Sequence, residues 1–352
     1  MKILVTGAGG YIGYPLVVEL RENTKHKVIG VDNGFRSDWV EMCGGDNSCR
    51  CADIHGDLTN RDFVNELLAI HRPDVIIHLA SQPSMPYSQI NGERALFTQY
   101  NNLSMLVNLI WGAKSNGLNP KFVVTTTTGI PGQTLNYIPE APTLNRAGSW
   151  YHVTRGFDSD NLSLACRQFG YNALELRTSI VYGIQTDTMA RLGIQTRFDT
   201  DKYFGTALNR FVRMAIDGKP ITVYGKGEQT KPFISLGDTV HSLVRAIDYN
   251  CVDHEIMNQV TANISIRQLA NLVADSTGGQ VAYIPNPRQE KEDFKMTFEN
   301  TKFLALLDKM PDSIEFQIKK LVEALGKPTG YYGTTTFGPN MEGWTDATED
   351  NT

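Results

Sequence analysis

Short unbroken apolar runs alternate along this chain with longer stretches of helical spacing. Lys2-Ile3-Leu4-Val5 is the first run, as expected of a strand buried on both faces. Helical spacing follows at Leu16, Val17 and Leu20, with Pro15 in the first turns, where a missing N–H costs little. A second strand is predicted over Lys27 to Val31, ending at Asp32, and a third over Cys51 to His55, leading into Gly56-Asp57-Leu58-Thr59. Asn60 to Ile70 has helical spacing at Phe63, Leu67 and Leu68. Further strands are predicted over Asp74 to Ala80, Lys121 to Thr125 and Ala173 to Ile180. A long helix before Lys121 carries Leu96, Tyr100, Leu103, Val107 and Ile110 on one stripe, suited to core packing or to a dimer face. Strands alternating with helices imply a parallel sheet with right-handed crossovers, an α/β doubly wound fold.

The turn after the first strand reads Thr6-Gly7-Ala8-Gly9-Gly10-Tyr11-Ile12-Gly13. Strand, glycine turn and helix in that order let the backbone approach a pyrophosphate at a helix N-terminus. Asp32, closing the second strand, is placed to accept hydrogen bonds from ribose hydroxyls, which favours NAD. Arg36 nearby keeps NADP open, because it can meet a 2′-phosphate. Asp57 is placed to hydrogen-bond an adenine amino group. The fold is therefore expected to be of Rossmann type.

After Gly183 the regularity lapses: 185–203 is polar, 204–217 an amphipathic helix and 221–224 a short strand. The expected organisation is a Rossmann NAD-binding domain of residues 1–183 with 233–261. A smaller C-terminal substrate-binding domain takes 184–232 with 262–326, and 327–352 is a mobile or partner-draped tail. The 352 residues carry a net charge of −5, against a general nucleic-acid or anionic-membrane binder. No apolar span approaches membrane length. The chain enters a strand at once, so no targeting segment is read, and a cytoplasmic protein is expected; a processed organellar form would look the same. Cys43, Cys49, Cys51 and His55 match no common zinc spacing, so a reduced loop is the better reading and no metal is expected. His78, inside a strand pattern, reads as a core histidine.

Ser149 to Arg155 carries the candidate chemistry. Tyr151 and Arg155 are four apart and share a helix face, so the cation favours the phenolate and makes Tyr151 a candidate general base. Thr127, at the end of a parallel strand, lies where such sheets bind ligands and can bond the same substrate hydroxyl.

The T-G-x-x-G-x-x-G turn, Asp32, Asp57 and the Tyr-x-x-x-basic pair resemble the extended short-chain dehydrogenase/reductase superfamily of nucleotide-sugar epimerases and dehydratases. The segments 82–88, 98–102, 151–155, 181–187, F-G-T-A-L-N-R-F at 204–211, 222–227 and P-N-P-R at 285–288 resemble its UDP-sulfoquinovose synthase branch. That resemblance implies bound NAD, a UDP-sugar substrate (UDP-glucose foremost), sulfite as a second substrate, and a homodimer. Gly7, Gly10, Tyr11, Ile12, Asp32, Asn33, Arg36, Asp57, Leu58, Leu79, Ala80, Ser81, Asn102, Tyr151 and Arg155 would hold the cofactor. Gln82, Thr206, Asn209, Val223, Tyr224, Gln229, Lys231 and Arg288 would hold the substrate. Catalysis would fall to Tyr151, Arg155, Thr127 and His152, the last a proton carrier near C5–C6.

Four positions depart from that pattern. Arg155 replaces a lysine and cannot hand on a proton; Ile130 stands where a glutamate is expected. Pro83 and Lys231 stand where arginines are expected. A UDP-hexose 4-epimerase or dehydratase, and a non-catalytic NAD or nucleotide-sugar-binding module, remain as alternative readings.

Overall fold

The computed structural model describes residues 1–36, 52–201, 203–286 and 293–326. The chain runs β1 (Lys2–Thr6), α1 (Gly13–Asn23), β2 (Lys27–Asp32), β3 (Ile54–His55), α2 (Arg61–His71), β4 (Val75–His78), α3 (Met85–Ser88) and α4 (Gly92–Ser115). Next come β5 (Lys121–Thr127), β6 (Tyr137–Ile138), α5 (Trp150–Phe169), β7 (Ala173–Thr178), β8 (Ile180–Tyr182), α6 (Asp187–Leu192) and α7 (Ala207–Ile216). The remainder is β9 (Ile221–Tyr224), β10 (Thr230–Ser235), α8 (Leu236–Asp248), β11 (His254–Gln259), β12 (Ala262–Ser265), α9 (Ile266–Thr277), β13 (Val281–Ile284), β14 (Thr297–Phe298), α10 (Thr301–Leu307) and α11 (Ile314–Leu325).

Seven strands form one sheet in the order β11-β7-β5-β4-β1-β2-β3, and every neighbouring pair is parallel. The unbroken apolar runs follow from helices on both faces. Ile3 and Val5 of β1 enter one core with α1 and α8, while Leu4 enters the opposite core with α2 and α4. The order turns back between β1 and β4, which opens a crevice at the carboxyl ends of the strands. Thr6, Asp32, His78 and Thr127 all sit at those ends.

The single strand expected over Ala173 to Ile180 divides at Ser179. Ser179 donates both its N–H and its hydroxyl to Gln259 O, at 3.3 and 2.8 Å, and the chain then leaves the large sheet. Beyond it β8 pairs with β10 in a three-stranded sheet completed by β12. A separate core of Leu208, Phe211, Val212, Val223, Leu269 and Ile318 binds α7, α9 and α11 around the parallel pair β9–β13.

The stripe read on α4 is also divided. Leu96 and Tyr100 are 68% and 61% exposed, whereas Ala95, Thr98, Asn102, Met105, Leu106 and Leu109 are buried. This helix has apolar residues on two faces, and the sheet takes the one bearing Met105, Leu106 and Leu109. Among the described residues no helix is long and apolar enough to cross a membrane. Cys43, Cys49, Cys51, Arg288 and the tail from 327 lie outside the described residues.

Candidate active site

The glycine turn is built by close backbone approach. Gly7 has φ +69°, and a Cβ there would lie 2.6 Å from Ala80 N. A Cβ on Gly13 would lie 2.0 Å from Gly7 O, and Gly10 N donates to that same carbonyl at 2.9 Å. Ile12 stands at the N-terminus of helix α1 with no side-chain cap, Tyr14 N donates to Gly10 O at 3.1 Å and Pro15 has no N–H, so no side chain fills the end of the helix beside the turn. By contrast, Asn60 caps α2 and Ser149 caps α5.

Asp32 accepts from Gly9 N and Gly34 N, both at 2.9 Å, which seats its carboxylate beside the turn. Burial raises its pKa, against those backbone bonds and the charge of Arg197. Asn33 accepts from Phe35 N, and Asp57, exposed, accepts from Thr59 N. Leu58 is buried; Leu79, Ala80 and Ser81 are half-buried along the end of β4. An uncapped helix N-terminus, a turn that tolerates no Cβ and an acid at the ribose position fit a dinucleotide such as NAD.

Arg36 is committed elsewhere. Its Nη2 lies 3.1 Å from Asp199 Oδ2, and its guanidinium stacks 3.4 Å over the Phe204 ring. Arg197 grips the same carboxylate at 3.0 and 2.9 Å and donates to Arg36 O at 2.7 Å. Burial first, then Arg197, pulls Arg36 down to about 10. These contacts turn Arg36 towards Asp199 and Phe204, while its Nε and Nη2 have no hydrogen bond of sound geometry among the described residues.

Tyr11 joins the turn to the second sheet. Its hydroxyl donates to Gly183 O at 2.6 Å and accepts from Asn209 Nδ2 at 3.2 Å, while Asn209 Oδ1 accepts from Gly183 N at 3.0 Å. Asn209 is thereby used inside the protein. Asn102 bridges in a similar way: it accepts from Gln82 N at 2.8 Å and donates to Thr154 Oγ1 at 3.0 Å. Thr154 in turn donates to Tyr151 O at 2.7 Å, so α4 ties the loop after β4 to α5.

Contacts along α5 join the catalytic candidates. The Tyr151 and His152 rings are 5.0 Å apart. His152 Nδ1 is 2.9 Å from Ser149 Oγ, which also accepts from His152 N. The imidazole fills the space over Gly129, where a Cβ would come within 2.7 Å of its Cδ2. Gly129 N donates to Thr127 Oγ1 at 3.1 Å. The ring thus occupies the loop of β5 that carries Ile130 instead of an acid. Burial first, and then Lys231, lowers His152 to about 4, so it is neutral near pH 7. Tyr151 stands above its ordinary value, contrary to the expectation that Arg155 brings its phenolate down: burial raises it more than Arg155 lowers it, and Asp158 raises it further.

Arg155 points inward, where Nη1 lies 2.7 Å from Asp158 Oδ2 and Nη2 donates to Thr125 O. Deeper still, Glu175 accepts from Thr126 Oγ1 and Ser159 Oγ, each at 2.6 Å, and pairs with Arg177 and His254. Asp158, Glu175 and Asp199 were not singled out in the sequence, and Ser149 only as the first residue of the 149–155 stretch. Asp158 had a signal, since it lies seven residues after Tyr151 on one helix face.

Among the described residues, the substrate candidates Gln82 Nε2, Thr206 Oγ1 and Gln229 Oε1 are buried without a hydrogen-bond partner, as groups awaiting a polar ligand are. Lys231 is close enough to act on His152. Tyr224 is half-buried. Val223 is fully buried in the small core, so its backbone alone can face a ligand.

Residues 3–258 match the NAD dependent epimerase/dehydratase family. The chain is 31% identical to the chloroplastic UDP-sulfoquinovose synthase of Spinacia oleracea, over 87% of this chain and 71% of that protein. It is 29% identical to the UDP-sulfoquinovose synthase of Sulfolobus acidocaldarius, over 92% of this chain and 93% of that protein. Its fold resembles the crystal structure of a UDP-glucose 4-epimerase with UDP-glucose from Thermotoga maritima. There the TM-score is 0.77 at 23% identity, covering 92% of this chain and 98% of that one. The chain therefore belongs to the NAD-dependent epimerase/dehydratase family, and is an NAD-dependent enzyme of nucleotide-sugar type.

Proposed function

We propose that this enzyme converts a UDP-hexose, UDP-glucose foremost, through a 4-keto intermediate, and joins sulfite to C6 in the manner of a UDP-sulfoquinovose synthase. The observation that carries this reading is the placement of His152. A neutral imidazole beside Tyr151 fills the space over Gly129, beside the position where Ile130 supplies no acid. The likeness to two UDP-sulfoquinovose synthases supports it.

In this mechanism Gly7, Gly10, the first turn of α1, Asp32 and Asn33 would hold NAD, which when bound would supply the hydride acceptor, and later the hydride donor, for C4. Tyr151 takes the proton of the sugar O4, and Thr127 holds that oxygen. The new C4 ketone acidifies the C5 proton. His152 Nε2 removes it and delivers it to the departing C6 hydroxyl as water leaves. Ser149 Oγ can donate to Nδ1 or accept from it, so Nε2 can serve as base and then as acid. Bisulfite adds its sulfur to C6 of the enone, and its proton passes through His152 to C5. Thr206, Gln229, Gln82 and Lys231, with Tyr224 and Arg288, hold the UDP-sugar, positioning the ring while the rate comes from the reacting groups.

A 4-epimerase is the second reading; it needs Tyr151 and Thr127 but no acid–base group at C5, and the buried Ile130 favours it. Incubation with NAD, UDP-glucose and sulfite, followed by mass spectrometry, separates the two. A UDP-sugar sulfonate supports the synthase; an unchanged sugar mass with inverted C4 supports the epimerase. We also infer a homodimer through α4 and α5, where Leu96, Tyr100, Trp111, Phe157 and Leu164 are exposed.

A further inference from the structure

Tyr151, Arg155 and Asp158 stand on one face of α5, at spacings of four and three. Asp158 is completely buried, with Arg155 Nη1 2.7 Å from Oδ2. Among the described residues it has no other ion-pair partner, and neither carboxylate oxygen has a hydrogen bond of sound geometry. A buried carboxylate held by a single cation is costly, and packing alone is served better by an apolar side chain. Arg155 is in turn pinned, because its Nη2 donates to Thr125 O on β5. An arginine stays charged throughout the working pH range, so its effect on a neighbour is set by whatever counter-charge it is given.

We propose that Asp158 is a positioning residue for the reaction: it fixes Arg155 and cancels part of its charge, so that Tyr151 works beside an ion pair rather than a bare cation. The inference rests on Tyr151 being the base. The charged and titratable groups around the pair are few. Tyr151 is acted on by Arg155 and Asp158 from its own helix. Burial pushes Asp158 up to about 7 against the pull of Arg155, and Glu175 on β7 adds to the rise, so the carboxylate carries its full charge above about pH 7. His78 on β4 is acted on by Arg155, and Lys231 on β10 acts on His152. Removing the Asp158 anion leaves the Arg155 cation unopposed, and the Tyr151 phenolate becomes easier to form.

The test is the pH dependence of cofactor reduction by UDP-glucose in the NAD-loaded protein, comparing wild type with Asp158→Asn. The expected result is an acid limb moved to lower pH by up to about one unit over the range above about pH 7 where Asp158 is charged, with the two proteins converging below it. A purely structural role for Asp158 lowers the plateau and leaves the limb in place, and that result overturns the proposal. If Asp158→Asn does not fold, the double variant Arg155→Met/Asp158→Asn decides. A limb within about half a unit of wild type supports cancellation, and a rise of more than about one unit contradicts it. The same shift is read without turnover from tyrosinate absorbance, as the difference between each protein and its Tyr151→Phe counterpart. If Tyr151→Phe leaves turnover intact, the base assignment fails; the tyrosinate titration still decides the role of Asp158.

Discussion

At the scale of single residues, the account rests on Tyr151 and His152 doing different work from adjacent positions. Tyr151→Phe keeps the ring and loses the base, so kcat should fall about 10²–10⁴-fold with UDP-sugar affinity little changed. Single-turnover kinetics beside calorimetric binding check this. His152→Gln should still allow cofactor reduction yet stop formation of the sulfonated product; loss of reduction as well would place His152 at C4 instead. Arg36 gives the third case. Since it is engaged by Asp199 and Phe204, Arg36→Met should leave the preference for NAD over NADP unchanged, as measured by titration with each cofactor. Its possible contact with a 2′-phosphate followed from chain proximity to Asp32; the competing carboxylate lies 163 residues away in sequence and leaves no local signal.

Elements were legible where local rules and tertiary packing agree. The glycine turn is such a place: strand, tight turn and helix leave their mark within thirteen residues. Gly13→Ala should lower NAD affinity at least about tenfold, because a Cβ at 2.0 Å from Gly7 O must open the turn that the pyrophosphate needs. Binding is measured by cofactor titration, and unchanged affinity would contradict the assignment. The strand that divides at Ser179 was not legible, since strand-favouring residues continue across it at Thr178, Ile180 and Val181. What ends pairing is a bond to Gln259, eighty residues on. The stripe on α4 shows a related limit. Periodicity reveals apolar faces, but when a helix has two it does not say which one the sheet will take. His152 over Gly129 was half legible: its neighbourhood to Tyr151 is local, whereas the space left by a glycine on another strand is not.

For the whole molecule, two behaviours follow. If the exposed face of α4 and α5 joins two copies, Leu96→Glu with Tyr100→Glu should shift the mass in solution, read by light scattering, from dimer to monomer. A mass unaffected by both charges would place the interface elsewhere. Acid should destabilise the fold. Burial, with Arg155 beside it, holds His78 down to about 3, and burial with Lys231 holds His152 down to about 4, both below their ordinary value. Between the ordinary histidine pKa and these values the unfolded chain binds more protons than the folded one. Stability is therefore full above about pH 6.5 and is lost as pH falls towards 4. Thermal melts at pH 7 and pH 5 should show a lower Tm at pH 5, with part of the loss removed in His152→Gln.

Oxidation of C4 of a UDP-hexose at this site is read by mixing the protein with NAD and UDP-glucose and following the near-ultraviolet band of reduced nicotinamide. The wild type should show a rise that decays as the cycle closes, and Tyr151→Phe should show none. A wild type that binds UDP-glucose and shows no reduced nicotinamide, or a rise of equal size in Tyr151→Phe, would contradict oxidation of C4 at this site.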